Sequence, residues 1–265
     1  MKILFILKSI PFPPRQGVEL PVSHIIKKLS KYHTVDILVV AQTKEDESDY
    51  FNRMSNTPGM VRHVNIIKAK KRPLKVSYLR EIIGISPVFF IDNFDENDLI
   101  KISNRDYYDV AWCTPFGVMG ILHACKKVGI FLSKAIAIGH NDAKVSLYWD
   151  GFKQLFRGRI GIDWIRVFQG LRIPWIWMYE RRYLSGVDLI HVQTKLEKKR
   201  MLCILKKNTK TKIIFASNGI NKSLKEVEPR IKKNNRILFM THLTGVRGKE
   251  AEWFLLNVWP DVLIS

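Results

Sequence analysis

The chain has 265 residues, and 46% of them are hydrophobic, so it can build a sizeable core and is not a disordered polymer. It carries 44 lysines and arginines against 24 aspartates and glutamates, a formal net charge of +20. A surface this basic favours an acidic partner: nucleic acid, anionic lipid or a phosphorylated substrate. The three cysteines show no CxxC pair and no metal-ligand spacing, which argues against a disulfide framework and favours a reducing compartment.

The sequence predicts neither a secretory leader nor a membrane span. The first apolar run ends at Leu7, and Lys8 and a proline-rich stretch follow it. No other stretch reaches the roughly 20 apolar residues that a spanning helix needs. We therefore expect a cytoplasmic protein.

The chain opens with a strand, a loop and a helix. Residues 3–7 form a short, wholly apolar run, which predicts a strand buried on both faces. The loop 8–17 contains three prolines and ends in a glycine, and apolar residues then recur at helical spacing as far as Leu29. Ligands of doubly wound sheets bind beyond the carboxyl ends of such strands, so this loop is either a site wall or a simple connection.

Strands and helices alternate along the rest of the chain, which predicts an α/β fold: a Rossmann-like parallel sheet with helices on both faces. The further predicted strands are residues 35–40, 61–67, 109–113, 134–139, 187–192, 212–216 and 236–240. The predicted helices are residues 74–83, 117–128, 195–205 (after a capping box of Thr194 and Glu197) and 251–263, with a helical turn at 99–103. Residues 41–52 and 84–98 are predicted to be a polar loop and an irregular segment.

Residues 146–184 mix tryptophan and tyrosine with arginine. This mixture suits a lipid–water interface and predicts contact with an anionic membrane surface. A helical cap on the sheet with its arginines outward explains it equally well, and stacking on single-stranded nucleic acid is a third alternative. A basic cluster at residues 68–75 is either a solvated surface or a contact with an anion or a membrane.

The opening pattern of an apolar strand, a loop and an amphipathic helix returns near the end of the chain. We expect an amino-terminal domain at 1–216, a charged linker at 217–235, and at 236–265 the first β–α unit of a truncated second domain. A missing second domain would leave the apolar side chains of residues 251–263 uncovered. This tail would then fray, associate with a second copy, or dock on a partner chain that supplies the missing domain.

Seven stretches in this order resemble the amino-terminal half of a GT-B glycosyltransferase of the broad family 4 type. They are ILFILKSIPFPPRQG, VDILVV, DVAWC, IAIGHND, YERRYLSGVDLIHVQTKLEKKRML, KIIFASNGI and RILFMTHLTGVRGKEAEWFLLNVWPDVL. The resemblance implies an acceptor domain and a nucleotide-sugar donor domain facing each other across a cleft. It implies transfer of a hexose to a lipid-linked or polysaccharide acceptor in cell-envelope or exopolysaccharide synthesis, at the inner membrane surface.

The resemblance also implies roles for individual residues. His140 matches the cleft histidine, which would hydrogen-bond the sugar or stabilise charge, although a purely structural histidine is the alternative. The other implied residues are Arg15, Gly17, Asn141 and Asp142 for acceptor and cleft contacts, Arg247 and Lys249 for donor phosphate, and Asn218 and Gly219 for the hinge. No metal and no cofactor is implied, because backbone amides and basic side chains would hold the phosphates.

The chain departs from the family pattern in two ways. Gly17 is followed by Val18 instead of a second glycine, and most of the donor half is absent. We therefore expect little or no transfer by this chain alone, since half of the transition-state contacts would be missing.

Two other classes of function are alternatives to a glycosyltransferase. A non-catalytic, membrane-docking or acceptor-binding subunit of a split transferase fits the same residues. A nucleic-acid-binding protein is less well supported because no recognised motif is present, and a dehydrogenase is disfavoured because no G-x-G-x-x-G follows Leu7.

Overall fold

A computed structural model describes residues 1–15, 19–55, 59–69, 73–82, 91, 93–103, 107–138, 167, 170–205, 209–216 and 252–260. The chain separates into two compact units, Met1–Gly219 and Ile220–Ser265.

Within the described part of the first unit, strands and helices alternate as the sequence predicts. The strands are β1 (Lys2–Leu7), β2 (Thr34–Ala41), β3 (His63–Lys68), β4 (Tyr108–Thr114), β5 (Phe131–Ile138), β6 (Leu189–Val192) and β7 (Lys212–Phe215). The helices are α1 (Glu19–Leu29), α2 (Lys44–Met54), α3 (Leu74–Ile82), α4 (Glu96–Ser103), α5 (Met119–Lys127), α6 (Ile173–Leu184) and α7 (Lys195–Ile204), with a 3₁₀ turn at Phe116–Val118 before α5.

The described strands form one parallel sheet in the order β3-β2-β1-β4-β5-β6-β7. The predicted Rossmann-like α/β fold is therefore confirmed. The order reverses between β1 and β4, because the chain winds outward from β1 in one direction as far as β3 and then in the other as far as β7.

Helices cover both faces of the sheet. Side chains of β1 alternate between two separate cores, with Leu4 and Ile6 in one and Phe5 and Leu7 in the other. The first core also contains residues of α4, α5, α6 and α7, and the second contains residues of α1 and α2. Both faces of β1 are thus buried, which is why its sequence is continuously apolar.

The segment 41–52 was wrongly predicted as a loop, because most of it lies in helix α2. The hydroxyl of Thr43 accepts a hydrogen bond from the backbone of Asp46, and the Asp46 carboxylate accepts one from the backbone of Thr43. This capping box starts the helix, and Tyr50 and Arg53 are its buried residues. The charged outer face hides the helical periodicity, because only these two side chains of the helix are buried.

The segment 84–98 was also predicted too broadly as irregular. Helix α4 begins at Glu96, and the predicted turn at 99–103 is its second half. Leu99 and Ile102 are the buried residues of this short helix. In contrast, the capping box of Thr194 and Glu197 is confirmed at the start of α7.

The described part of the second unit is short. Residues 252–257 are helical, and Trp253 and Leu256 are 61% and 69% exposed. The predicted linker at 217–235 and the strand at 236–240 lie outside the described residues, so the domain boundaries and the self-association of 251–263 stay predictions.

Candidate functional site

The reversal of strand order creates a crevice beyond the carboxyl ends of β1 and β4. The connections that leave these two neighbouring strands turn to opposite faces of the sheet, because α1 packs in one core and α5 in the other. Open α/β sheets bind their ligands at this point. We call this space the switch-point crevice.

The switch-point crevice is small. It has a volume of about 60 Å³ and is lined by Leu7, Lys8, Ser9, Pro11, Glu19, Val22, Thr114 and Pro115. This volume holds about two water molecules, so it admits one small group of a ligand, such as a hydroxymethyl group.

The carboxylate of Glu19, the first residue of α1, forms one wall of the crevice. It is 4% exposed and accepts hydrogen bonds from Ser9 Oγ at 2.6 Å and from the Arg15 backbone N–H at 2.7 Å. Arg53 Nη2 donates to the same carboxylate at 2.9 Å. Burial raises the pKa of Glu19, but these hydrogen bonds outweigh burial and hold the pKa below its ordinary value. The crevice therefore contains an ionised hydrogen-bond acceptor at neutral pH.

Two side chains of α2 hold the loop that follows β1. Besides Glu19, the guanidinium of Arg53 donates to the carbonyls of Phe12 at 3.4 Å and Pro13 at 2.9 Å. The hydroxyl of Tyr50 donates to the carbonyl of Lys8. Arg53 and Tyr50 are both buried, so α2 fixes the shape of the loop from behind.

Thr114, the last residue of β4, supplies a polar group that the fold does not use. The residue is 3% exposed and lines the crevice, and no atom of the described residues hydrogen-bonds to its Oγ1. Leaving a buried hydroxyl without a partner costs about 1–3 kcal/mol. A ligand hydroxyl that reached this atom would recover that energy.

Arg15 is the one predicted site residue that lies in the described part of the chain. Its side chain is 58% exposed and pairs with Asp49 Oδ1 at 2.7 Å, and its backbone N–H binds Glu19. Arg15 thus contributes to the crevice through its backbone. The other predicted positions are Gly17, His140, Asn141, Asp142, Asn218, Gly219, Arg247 and Lys249, and all of them lie outside the described residues.

Sequence reasoning missed Glu19 and Thr114, which line the crevice, and Arg53, which holds Glu19 in place. The pairing of Glu19 with Arg53 across 34 positions has no local signal in the sequence. Thr114 did have a local signal, because it directly follows a predicted strand, at the edge of the sheet where ligand-binding sites form.

Within the described ranges, no group of three or more His, Cys, Asp or Glu side chains could hold a metal ion. No described helix is long and apolar enough to cross a bilayer.

Comparisons with known proteins gave structural matches only. No protein-family model and no curated protein matches the sequence. The chain is similar to TcCGT1 in complex with UDP, at 12% identity and a TM-score of 0.42, covering 87% of this chain and 53% of that one. It is also similar to UGT71G1 of Medicago truncatula complexed with UDP-glucose, at 11% identity and a TM-score of 0.49, covering 88% and 54%. The chain thus spans about half the length of these two structures, and similarity at this level does not decide its function.

Proposed function

We propose that this chain is the acceptor-binding half of a GT-B glycosyltransferase of the family 4 type. In this proposal it receives a sugar from a nucleotide-sugar donor and directs it to a lipid-linked or polysaccharide acceptor of the cell envelope, on the cytoplasmic side of the membrane. His140 would face the transferred sugar, Asn141 and Asp142 would lie beside it, and Arg247 and Lys249 would contact donor phosphate.

The observation that carries the proposal is the chemistry of the switch-point crevice. It combines an unused hydroxyl at Thr114 with the ionised carboxylate of Glu19, whose oxygens already accept from Ser9, Arg15 and Arg53. A free hydroxyl of this kind pairs with the hydroxyls of a sugar. A dinucleotide-binding fold instead places a pyrophosphate at the start of its first helix. Here the carboxylate of Glu19 stands at that position and opposes a second anion. The crevice therefore favours an uncharged, hydroxyl-rich ligand.

A substitution of Thr114 tests this proposal without disturbing the fold. Thr114→Val keeps the shape of the side chain and removes a hydroxyl that has no partner in the described structure. We expect stability that is unchanged or higher by up to about 1–3 kcal/mol, because an unpaired buried hydroxyl is removed. We also expect about tenfold weaker binding of octyl β-D-glucopyranoside, used below its micellar concentration, because one ligand hydrogen bond is lost. Isothermal titration calorimetry measures both variants.

A transfer assay completes this test. With UDP-[¹⁴C]glucose as donor and the same glycoside as acceptor, we expect binding of the glycoside but little transfer by the chain alone. Cys203→Ser, at an exposed position of α7, serves as the control variant. Failure of the wild-type protein to bind any glycoside in a panel of common hexosides would contradict the proposal, and so would equal binding by Thr114→Val.

We also propose that the enzyme, or the non-catalytic docking subunit of a split one, rests on an anionic membrane through α3 and α6. The two helices are joined: Arg172 donates to Glu81 at 2.6 and 2.8 Å, and the Tyr179 hydroxyl donates to the Glu81 carbonyl at 2.9 Å. Six large apolar side chains on or beside these helices are exposed, namely Val76, Leu79, Ile82, Leu171, Trp177 and Met178. We call them the α3–α6 surface.

Basic groups accompany the α3–α6 surface. The guanidinium of Arg181 lies 4.7 Å from the centre of the Trp177 ring, and that of Arg172 lies 5.0 Å from the centre of the Tyr78 ring. Aromatic rings beside arginine suit the boundary between lipid tails and headgroups. The overall charge of +20 adds attraction to an anionic leaflet.

Vesicle flotation tests the α3–α6 surface. The double variant Trp177→Ser and Met178→Ser is expected to bind phosphatidylglycerol vesicles at least about tenfold more weakly, because two apolar side chains no longer enter the interface. The control is Phe51→Ser, which removes a 58% exposed ring from α2, on the other face of the sheet. We expect the control to bind as wild type does and high salt to weaken all variants. Equal loss in the control and the double variant would refute this surface.

A further inference from the structure

A second concave site lies between α5 and α6, away from the switch-point crevice. It has a volume of about 150 Å³ and is lined by Met119, Leu122, His123, Lys126, Arg182, Tyr183, Gly186 and Val187. The last residues of α5 and the turn before β6 belong to the amino-terminal edge of the sheet, opposite the edge that holds the crevice. We call this site the α5–α6 groove.

Basic side chains converge on the α5–α6 groove. His123 and Lys126 come from one face of α5, and Arg182 comes from the last turn of α6. None of the lining residues is acidic. In the part of the chain that the structure describes, no carboxylate pairs with Arg182, whereas the neighbouring Lys127 lies 3.4 Å from Glu96 Oε1. The groove thus carries positive charge that the fold does not neutralise.

The protonation of His123 reflects this surplus of positive charge. Burial lowers the pKa of His123, and the charges of Arg182, Lys126 and Lys127 lower it further. Tyr183 packs edge-on against the imidazole, with 5.7 Å between ring centres. A bound anion would offset the three cations and raise the pKa of this histidine.

The floor of the groove is apolar. Met119, Leu122 and Val187 are buried core residues that line the groove together with the cations. The volume equals that of about five water molecules, enough for a tetrahedral anion and a few carbon atoms. A site that combines cations with apolar walls matches a ligand that is anionic at one end and apolar at the other.

We propose that the α5–α6 groove binds a phosphate monoester carried on a short apolar chain. A phosphate monoester has a charge of about −1.5 to −2 at neutral pH, which matches the two cations Lys126 and Arg182 better than a carboxylate does and favours the protonated form of His123. The group is either the headgroup of a phospholipid or a soluble phosphate ester. This inference does not depend on the glycosyltransferase proposal, because the groove and the crevice share no residue.

The NMR chemical shifts of the His123 imidazole protons and carbons report ligand binding to the full-length protein. Butyl phosphate is expected to give saturable shifts and to raise the pKa of His123. Inorganic phosphate is expected to bind roughly tenfold more weakly because it lacks the apolar chain, and butanol is expected to give no shift. Sedimentation with phosphatidic acid vesicles, compared with phosphatidylcholine vesicles, distinguishes a lipid headgroup from a soluble ester.

Two variants complete the experiment. Arg182→Gln removes an exposed cation of the groove, and Lys198→Gln removes an exposed cation from α7. We expect the first to abolish the response to butyl phosphate and to phosphatidic acid, and the second to leave it unchanged. The proposal is overturned if neither probe binds the wild-type protein, or if the two variants respond alike.

Discussion

Glu19→Gln is expected to destabilise the first unit by about 3–5 kcal/mol, because it leaves the charge of Arg53 buried without its partner. The two side chains are 4% and 5% exposed and lie 2.9 Å apart between Arg53 Nη2 and Glu19 Oε2. Urea unfolding followed by circular dichroism measures the change in the free energy of unfolding.

The surroundings of this pair supply its controls. Asp49 also approaches Arg53, at 3.7 Å, but its side chain is 36% exposed. Asp49→Asn should therefore cost less than about 1 kcal/mol. The double variant Glu19→Leu and Arg53→Met removes both charges and should be more stable than Glu19→Gln. A loss for Glu19→Gln as small as that for Asp49→Asn would show that the pair does not hold the loop.

The pH dependence follows from the lowered pKa of Glu19. The ionised carboxylate stabilises the folded state fully above the unfolded value of 4.5. That contribution is lost as the pH falls below 4.5 and through the lower pKa of the folded state. The difference in stability between wild type and Glu19→Gln should thus shrink as the solution is acidified.

The sequence predicted the centre of the described sheet well because strands β1 and β2 are buried on both faces. Residues 3–7 are apolar throughout and do not alternate with polar residues, which distinguishes them from a half-exposed strand. Because strands alternate with helices along the chain, few sheet topologies are possible. Prediction failed at α2, whose sequence KEDESDYFNRM buries only Tyr50 and Arg53. The capping box of Thr43 and Asp46 nevertheless marks the start of this helix in the sequence.

The site was less predictable than the fold. Its place at the loop after β1 followed from chain order alone, since strand ends are where doubly wound sheets bind ligands. Its chemistry depends on Glu19 meeting Arg53 from a different helix, and on the position of β4 beside β1. These are contacts between distant segments, and a single sequence carries no local pattern for them.

A buried carboxylate at the opposite edge of the sheet provides a comparison with Glu19. Asp36 of β2 is fully buried and accepts hydrogen bonds from the Tyr108 hydroxyl at 2.8 Å and from the His63 backbone N–H at 3.1 Å. Arg62 forms an ion pair with it. Asp36 therefore ties β2 to the starts of β3 and β4.

Asp36→Ala is expected to lower the free energy of unfolding by about 2–4 kcal/mol, because it removes the buried carboxylate that accepts hydrogen bonds from the Tyr108 hydroxyl and the His63 backbone N–H and pairs with Arg62. This loss of stability is smaller than the loss expected for Glu19→Gln, because the side chain of Arg62 is 32% exposed and can be solvated by water. Tyr108→Phe, which removes one donor, should cost about 1 kcal/mol. Under conditions where both variants remain folded, Asp36→Ala should keep the affinity for octyl β-D-glucopyranoside, whereas Glu19→Gln should reduce it. If both variants lose affinity equally, binding depends on the stability of the sheet and not on the chemistry of the switch-point crevice.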